Sequence, residues 1–257
     1  MNGLVQPQTS DNYSGSAAFG KERGDTMKEL NYSRVFLFLT GLTLATLAVY
    51  GVICLRTGTR HAFLIWNLFL AWIPFGFSMA AYGVSRKTSG IWLLLPFGAA
   101  WLLFYPNAPY LMTDLVHLTV KARYYLSGGA ISNVYWYDLT VMLLFTWTGW
   151  LTGFFSMYQI QAVVRQRLGA AASWAFVLAG CVLGGYGVLL GRVYRLNSWD
   201  ILTDLKGLMS LVAESLNRQS LFFSLFVAFI LLVIYGTLYL LINGLGSARN
   251  DSLSFRK

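Results

Sequence analysis

Charge is scarce in this chain. Asp, Glu, Lys and Arg make up 11% of its 257 residues, where a soluble globular domain carries about a quarter. That deficit excludes an ordinary soluble enzyme. Two cysteines exclude a disulfide-stapled secreted scaffold of this size, and an apolar content of 56% excludes disorder over most of the length. Missing too are the signatures of familiar chemistries: no Walker lysine loop, no His-Glu-x-x-His and no Gly-x-Ser-x-Gly. Gly185-Tyr186-Gly187 sits inside an apolar run with no strand before it, so it is no nucleotide fingerprint.

What fills the chain is apolar. Runs free of ionisable residues cover Val35–Leu55, Ala62–Val84, Ile91–Tyr105, Leu139–Tyr158, Ala170–Leu190 and Leu221–Ile242, together 122 residues. About 20 such residues cross the hydrocarbon as a helix. Because lipid-facing backbone must satisfy its own hydrogen bonds and no alternating strand pattern occurs, the expected fold is all-α, a polytopic bundle of six transmembrane helices. The expected divisions are a disordered cytoplasmic tail over 1–33, a six-span membrane domain over 34–245 and a cytoplasmic tail over 246–257. The first run starts too late and is too long for a cleaved signal peptide, so it reads as a signal anchor.

With six spans the termini share a side. That side holds eleven Lys and Arg against eight on the other, a bias favouring cytoplasmic termini. The net charge of +9 then reflects loops held by anionic lipid. No nucleic-acid partner follows, and membrane lipids are the expected ones.

Outside the tails, every acid and both histidines fall in the connections assigned to the outer side: Asp114, Asp138, Asp200, Asp204, Glu214, His61 and His117. Span three narrows the search. Its apolar run gives only about 22 Å of helix and meets Pro106-Asn107-Ala108-Pro109. Two prolines three apart remove two amide donors and are expected to push Tyr105 and Ala108 out of helical geometry, and broken backbone at that depth marks binding sites in transporters. Beyond it, Tyr110, Asp114, His117 and Lys121 are spaced to share one face of a short amphipathic helix. Asp114 and His117 could there share a proton or help to hold a metal, although the spacing alone names no metal site and no cofactor.

At the end of span five, Arg192 and Arg195 at i and i+3 predict one helix face suited to a phosphate, or else a pairing with Asp114, Asp138 or Asp200. Ser198 predicts an N-cap, with Trp199 and Asp200 opening an amphipathic helix over Ile201 to about Leu216 that lies on the outer surface as a lid or brace. Tyr124, Tyr125, Tyr135, Trp136 and Tyr137 read as an interfacial aromatic belt. The recurrent Gly149, Gly153, Gly180, Gly184, Gly187 and Gly191 predict close helix packing.

The runs Tyr105-Pro106-Asn107-Ala108-Pro109-Tyr110-Leu111-Met112-Thr113-Asp114-Leu115-Val116-His117-Leu118, Trp136-Tyr137-Asp138 and Arg192-Val193-Tyr194-Arg195-Leu196-Asn197-Ser198-Trp199-Asp200 resemble those of a bacterial multi-span membrane family known only as a domain of unknown function. The resemblance covers roughly Ala62 to Ile242. It implies an inner-membrane protein with Asn107, Asp114, His117, Asp138, Arg195, Asn197 and Asp200 in its motifs, and it brings no activity. From the residues, Asp114, His117, Asp138 and Asp200 are the candidate acid–base groups. Arg192, Arg195, Asn107, Asn197, Tyr110 and Trp199 are the candidate ligand contacts, the expected ligand being a phosphate-bearing lipid or envelope precursor. A structural or assembly subunit and a small transporter or flippase are the competing expectations.

Overall fold

The computed structural model describes residues 27, 30–58, 61–88, 90–120, 122–127, 130–196, 198 and 203–254. The expected N-terminal tail lies almost wholly outside them. Among the described residues, five helical stretches are long and apolar enough to cross a membrane: Tyr32–Thr57, Ala62–Ser85, Ile91–Val120, Asn133–Arg192 and Arg218–Gly244. We label the helices α1 (Tyr32–Thr57), α2 (Ala62–Ser85), α3 (Leu95–Phe104), α4 (Asn107–Tyr110), α5 (Val116–Val120), α6 (Asn133–Arg192), α7 (Leu205–Ser215) and α8 (Arg218–Ser254). A 3-10 segment, Leu111–Leu115, joins α4 to α5, and a two-residue β ladder pairs Leu126–Ser127 with Ala130–Ile131.

Five stretches hold all six apolar runs because α6 holds two. Its 60 residues would span about 90 Å if straight, three times the hydrocarbon thickness. Gly169, at φ 88° and ψ 176°, breaks it; this φ suits a residue without a Cβ. The limbs then run back against each other. Trp101 donates from Nε1 to Ser156 Oγ at 3.2 Å and packs its ring against Phe176 at 5.4 Å, so it touches both limbs. A Cβ on Gly180 would meet Met157 Cε at 2.9 Å.

Onto this hairpin pack α1, α2 and α8. The core has one zone around Trp101, Tyr105, Met157, Tyr158, Cys181 and Tyr235, and another around Tyr50, Leu68, Leu111, Met142 and Phe145 nearer the start of α2. Lipid tails are as apolar as these side chains, so burial alone does not hold the helices together; close approach and buried hydrogen bonds do. Thr46 and Thr148 share a hydroxyl hydrogen bond at 2.9 Å between α1 and α6, and Ser78 donates to the buried Gln159 between α2 and α6.

The interrupted third span wedges between the two limbs. Ala108 stands where a Cβ on Gly153 would come within 2.8 Å, and the Tyr105 ring stands equally close to Gly184. Leu111 and Pro106 crowd Gly149 and Gly187 in the same way. These glycines are therefore the floor on which the wedge lies.

The expected departure of Tyr105 and Ala108 from helical geometry does not occur. Tyr105 has φ −53° and ψ −40°, and Ala108 lies inside α4. The prolines instead shorten the hydrogen-bond ladder: Ala108 N donates to Tyr105 O at 3.1 Å, three residues back. Helical dihedrals survive because other groups take up the freed carbonyls. Asn107 Nδ2 donates to Phe104 O at 2.9 Å, and Ser198 Oγ donates to Leu103 O at 3.1 Å.

Candidate functional site

Asp114 sits in the 3-10 segment and is 1% exposed. Both carboxylate oxygens are satisfied: Arg192 Nη2 donates to Oδ1 at 2.7 Å and Asn67 Nδ2 to Oδ2 at 2.8 Å. Arg192 also donates from Nε to Thr113 Oγ1 at 2.8 Å, and its guanidinium lies 4.6 Å over the Tyr110 ring. One cation thus ties the end of α6 to the wedge, and Asn67 adds α2. Such a charge-assisted network is strong where water is scarce.

Asp138, also 1% exposed, belongs to a second cluster. Tyr125 donates its hydroxyl to Oδ2 at 2.8 Å, and His61 Nε2 stands 3.1 Å from the same oxygen, at ion-pairing distance. His61 is 2% exposed, and its backbone N–H donates to Tyr50 Oη at 3.0 Å. Burial, and next the hydrogen bond to Asp138, hold the Tyr125 phenol protonated well above its ordinary range. Tyr125 is therefore no member of an aromatic belt, unlike the exposed Tyr124, Trp136 and Tyr137. A Tyr125→Phe variant removes this donor from a buried carboxylate, so we expect a loss of about 1–3 kcal/mol of stability, read as an earlier midpoint in a heating series followed by size-exclusion chromatography.

Beside the first cluster opens a cavity of about 310 Å³. Sequence order along its walls gives it a direction. Leu70, Leu102, Leu103 and Leu183, with the Tyr186 phenol, line the part nearer the middle of the bundle, while Asn67, Asn107, Tyr110 and Ser198, interleaved with Trp66, Leu190 and Leu196, line the part nearer the helix ends. Leu208 of α7 completes one side. An apolar floor with a few polar groups at the rim is the usual make-up of a ligand pocket.

The structure divides the expected site residues. Asn107 and Tyr110 line the cavity, and Arg192 and Asp114 adjoin it through Tyr110 and Asn67. Arg195 does not share a helix face with Arg192: α6 ends at Arg192, and Arg195 turns out at φ 58° with an exposed side chain. The Asp114–His117 pair does not form between side chains either. The tighter 3-10 winding puts His117 Nδ1 2.9 Å from the Asp114 main-chain oxygen, to which it donates. Asp138 lies with His61 and Tyr125, apart from the cavity-lining residues. Asn197, Trp199, Asp200 and Lys121 lie outside the described residues, as does most of the expected helix opening at Ser198. The described helix starts later, at Leu205, behind Asp204, whose Oδ1 accepts from Gly207 N at 2.9 Å. Among the described residues, no three His, Cys, Asp or Glu side chains come together as a metal site would require.

Two contributors escaped the sequence reading. Asn67 is a lone amide in an apolar span, and that polarity was the available signal. Thr113 offered none, being a hydroxyl beside a motif acid.

A family profile described as "Protein of unknown function (DUF1361)" matches residues 66–234. The chain belongs to that family. The matched stretch runs from the Trp66 edge of the cavity through α7 and into the first half of α8, so both the wedge and its floor lie within the matched region. No curated protein and no solved structure matches the chain.

Proposed function

We propose that this chain is a bacterial inner-membrane protein with cytoplasmic termini that binds an amphiphilic membrane lipid, or an envelope precursor on a lipid carrier, in the cavity beside Arg192. The observation that carries this reading is the make-up of the cavity: its inner part is mostly leucine, and the amides of Asn67 and Asn107 and the Ser198 hydroxyl gather toward the helix ends. An amphiphile aligned along the membrane normal matches both halves. Arg192 keeps unused N–H groups after bonding Thr113 and Asp114, so it is the group that would meet a phosphate at the rim, with the exposed Arg195 adding positive charge. Asp114 holds Arg192 in place and is read here as a positioning residue.

Filling the floor tests this directly. Leu183 is partly exposed, so Leu183→Trp has room to fold while placing an indole in the apolar half. The expected result is loss of most of the lipid that co-purifies with the protein, quantified by mass spectrometry, with an unchanged melting midpoint. Undiminished lipid in a folded Leu183→Trp variant would overturn the reading.

A further inference from the structure

We propose that α7 docks in the headgroup–acyl boundary of the bilayer through an apolar flank left uncovered by the rest of the chain, and that it gates the cavity toward the lipid of that leaflet and not toward water. The gating half rests on the lipid-binding reading above; the docking half does not.

At 1.5 Å per residue the 11 residues of α7 reach about 16 Å, half of what crossing the hydrocarbon needs. The helix is therefore no span, and the chain tethers it between the end of α6 at Arg192 and the start of α8 at Arg218. Its sequence divides its surface into three strips. Leu208, Leu211, Val212 and Ser215 are buried or half-buried, with Leu208 a wall of the cavity. Lys206, Ser210 and Glu214 recur every fourth residue and are exposed, a polar strip suited to water. Leu205, Met209 and Ala213 recur with the same period one position earlier and are exposed too, Leu205 to 56% and Met209 to 61%. At 3.6 residues per turn this apolar strip lies between the inward and the polar strips.

The occupant that fits the apolar strip is lipid. A short helix with a charged face beside an apolar one is the form that rests in a bilayer interface. The apolar exposure also carries on along the chain: Leu216 past the end of α7, then Leu221 and Phe222 in the first turns of α8, are exposed, and α8 is itself long and apolar enough to span. Lipid on α8 thus continues onto α7.

The same helix closes the cavity. Tyr186 and Leu208 both line it, and Tyr186 Oη stands 2.5 Å from Ser215 Oγ and 3.5 Å from the Val212 carbonyl oxygen. Among the described residues these are the side-chain hydrogen bonds that join α7 to a spanning helix. A helix latched by one phenol can lift without breaking its own backbone ladder. Because the apolar strip adjoins the inward one, the edge that lifts opens the cavity onto acyl chains.

Three full-length chains built on Cys54→Ala/Cys181→Ala test this, with Leu208→Cys, Met209→Cys or Ser210→Cys carrying a small bimane fluorophore. In dioleoylphosphatidylcholine nanodiscs, quenching by a brominated-chain counterpart of that lipid is compared with quenching by aqueous iodide. The expected result is that bromolipid quenches position 209 and iodide position 210, each several-fold better than the other quencher, with position 208 shielded from both. Adding Ser215→Ala, which loosens the latch and leaves the cavity lining intact, should raise bromolipid quenching at position 208 about fivefold, the effect of one net hydrogen bond, and leave iodide quenching unchanged. Iodide reaching position 209 as readily as 210 would overturn the docking, and neither quencher reaching 209 would overturn it in favour of a protein partner or a second copy. No change at position 208 with Ser215→Ala, in protein that elutes as a single peak, would overturn the gate and make α7 a fixed brace. A gain in iodide quenching there would overturn it in favour of entry from water. Co-purified lipid in Leu183→Trp tests the cavity's ligand separately, so the two readings fail by different measurements.

Discussion

Arg192→Met is expected to cost the folded bundle about 3–5 kcal/mol, because it leaves the buried Asp114 carboxylate without its counter-charge. Asn67 would be the remaining side-chain donor, and it cannot neutralise a charge. The variant also loses the Thr113 bond and the stacking of the guanidinium on Tyr110, the latter contributing about 0.5–2 kcal/mol in such settings. The informative comparison is with the double variant Arg192→Met/Asp114→Asn. Removing both charges takes away the stranded ion while an amide at 114 still accepts from Asn67, so much of the loss should be recovered. Midpoints of heat-induced loss of the monodisperse peak for the unsubstituted, single and double variants complete the cycle. Additive effects, with the double variant worse than either single one, would mean that the two charges do not depend on each other.

The second large effect is expected at Gly185. A Cβ there would run into the Ser224 carbonyl oxygen of α8 and come within 3.0 Å of the Ala228 amide. Backbone cannot rotate aside as a side chain can, so Gly185→Val should force the α6 limb and α8 apart at a cost of about 3 kcal/mol, the upper end for overpacking. Gly180→Ala supplies the contrast. Its added methyl meets the end of Met157, a flexible thioether that can move aside. The Gly185 variant should therefore lower the melting midpoint far more than the Gly180 variant; similar midpoints would mean that the α6–α8 contact is looser than described.

The bundle was legible in the sequence because the physics behind it is local. A stretch of 20 uncharged apolar residues can satisfy its backbone in lipid only as a helix, and the α6 limbs follow from that alone. The glycine repeats correctly announced close packing, although not that their partner would be the wedge of Tyr105 to Leu111. Spacing arguments failed where they assumed an unbroken α-helical period. The 3-10 winding from Leu111 to Leu115 put Asp114 on Arg192 rather than beside the His117 ring, and the left-handed Arg195 separated two arginines that a longer helix would have aligned. Tyr125 defeats composition in a similar way. Its neighbours Tyr124, Trp136 and Tyr137 are exposed, and only the fold shows that one phenol of the group turns inward to Asp138.

The bond from Ser198 to the Leu103 carbonyl also sets a timetable. Ninety-five residues separate the two, and ribosomes add about 5–20 residues per second, so during synthesis that carbonyl waits roughly 5–20 seconds for its partner. Asn107, three residues beyond Phe104, can serve that carbonyl as soon as it emerges; Leu103 has to wait for the distant Ser198. In that interval the third span is an unfinished helix whose frayed end must stay hydrated or borrow a donor from the insertion machinery or from lipid. Membrane insertion of this chain is thus expected to hold its third span near the aqueous edge until Ser198, which follows the fifth apolar run, has been made.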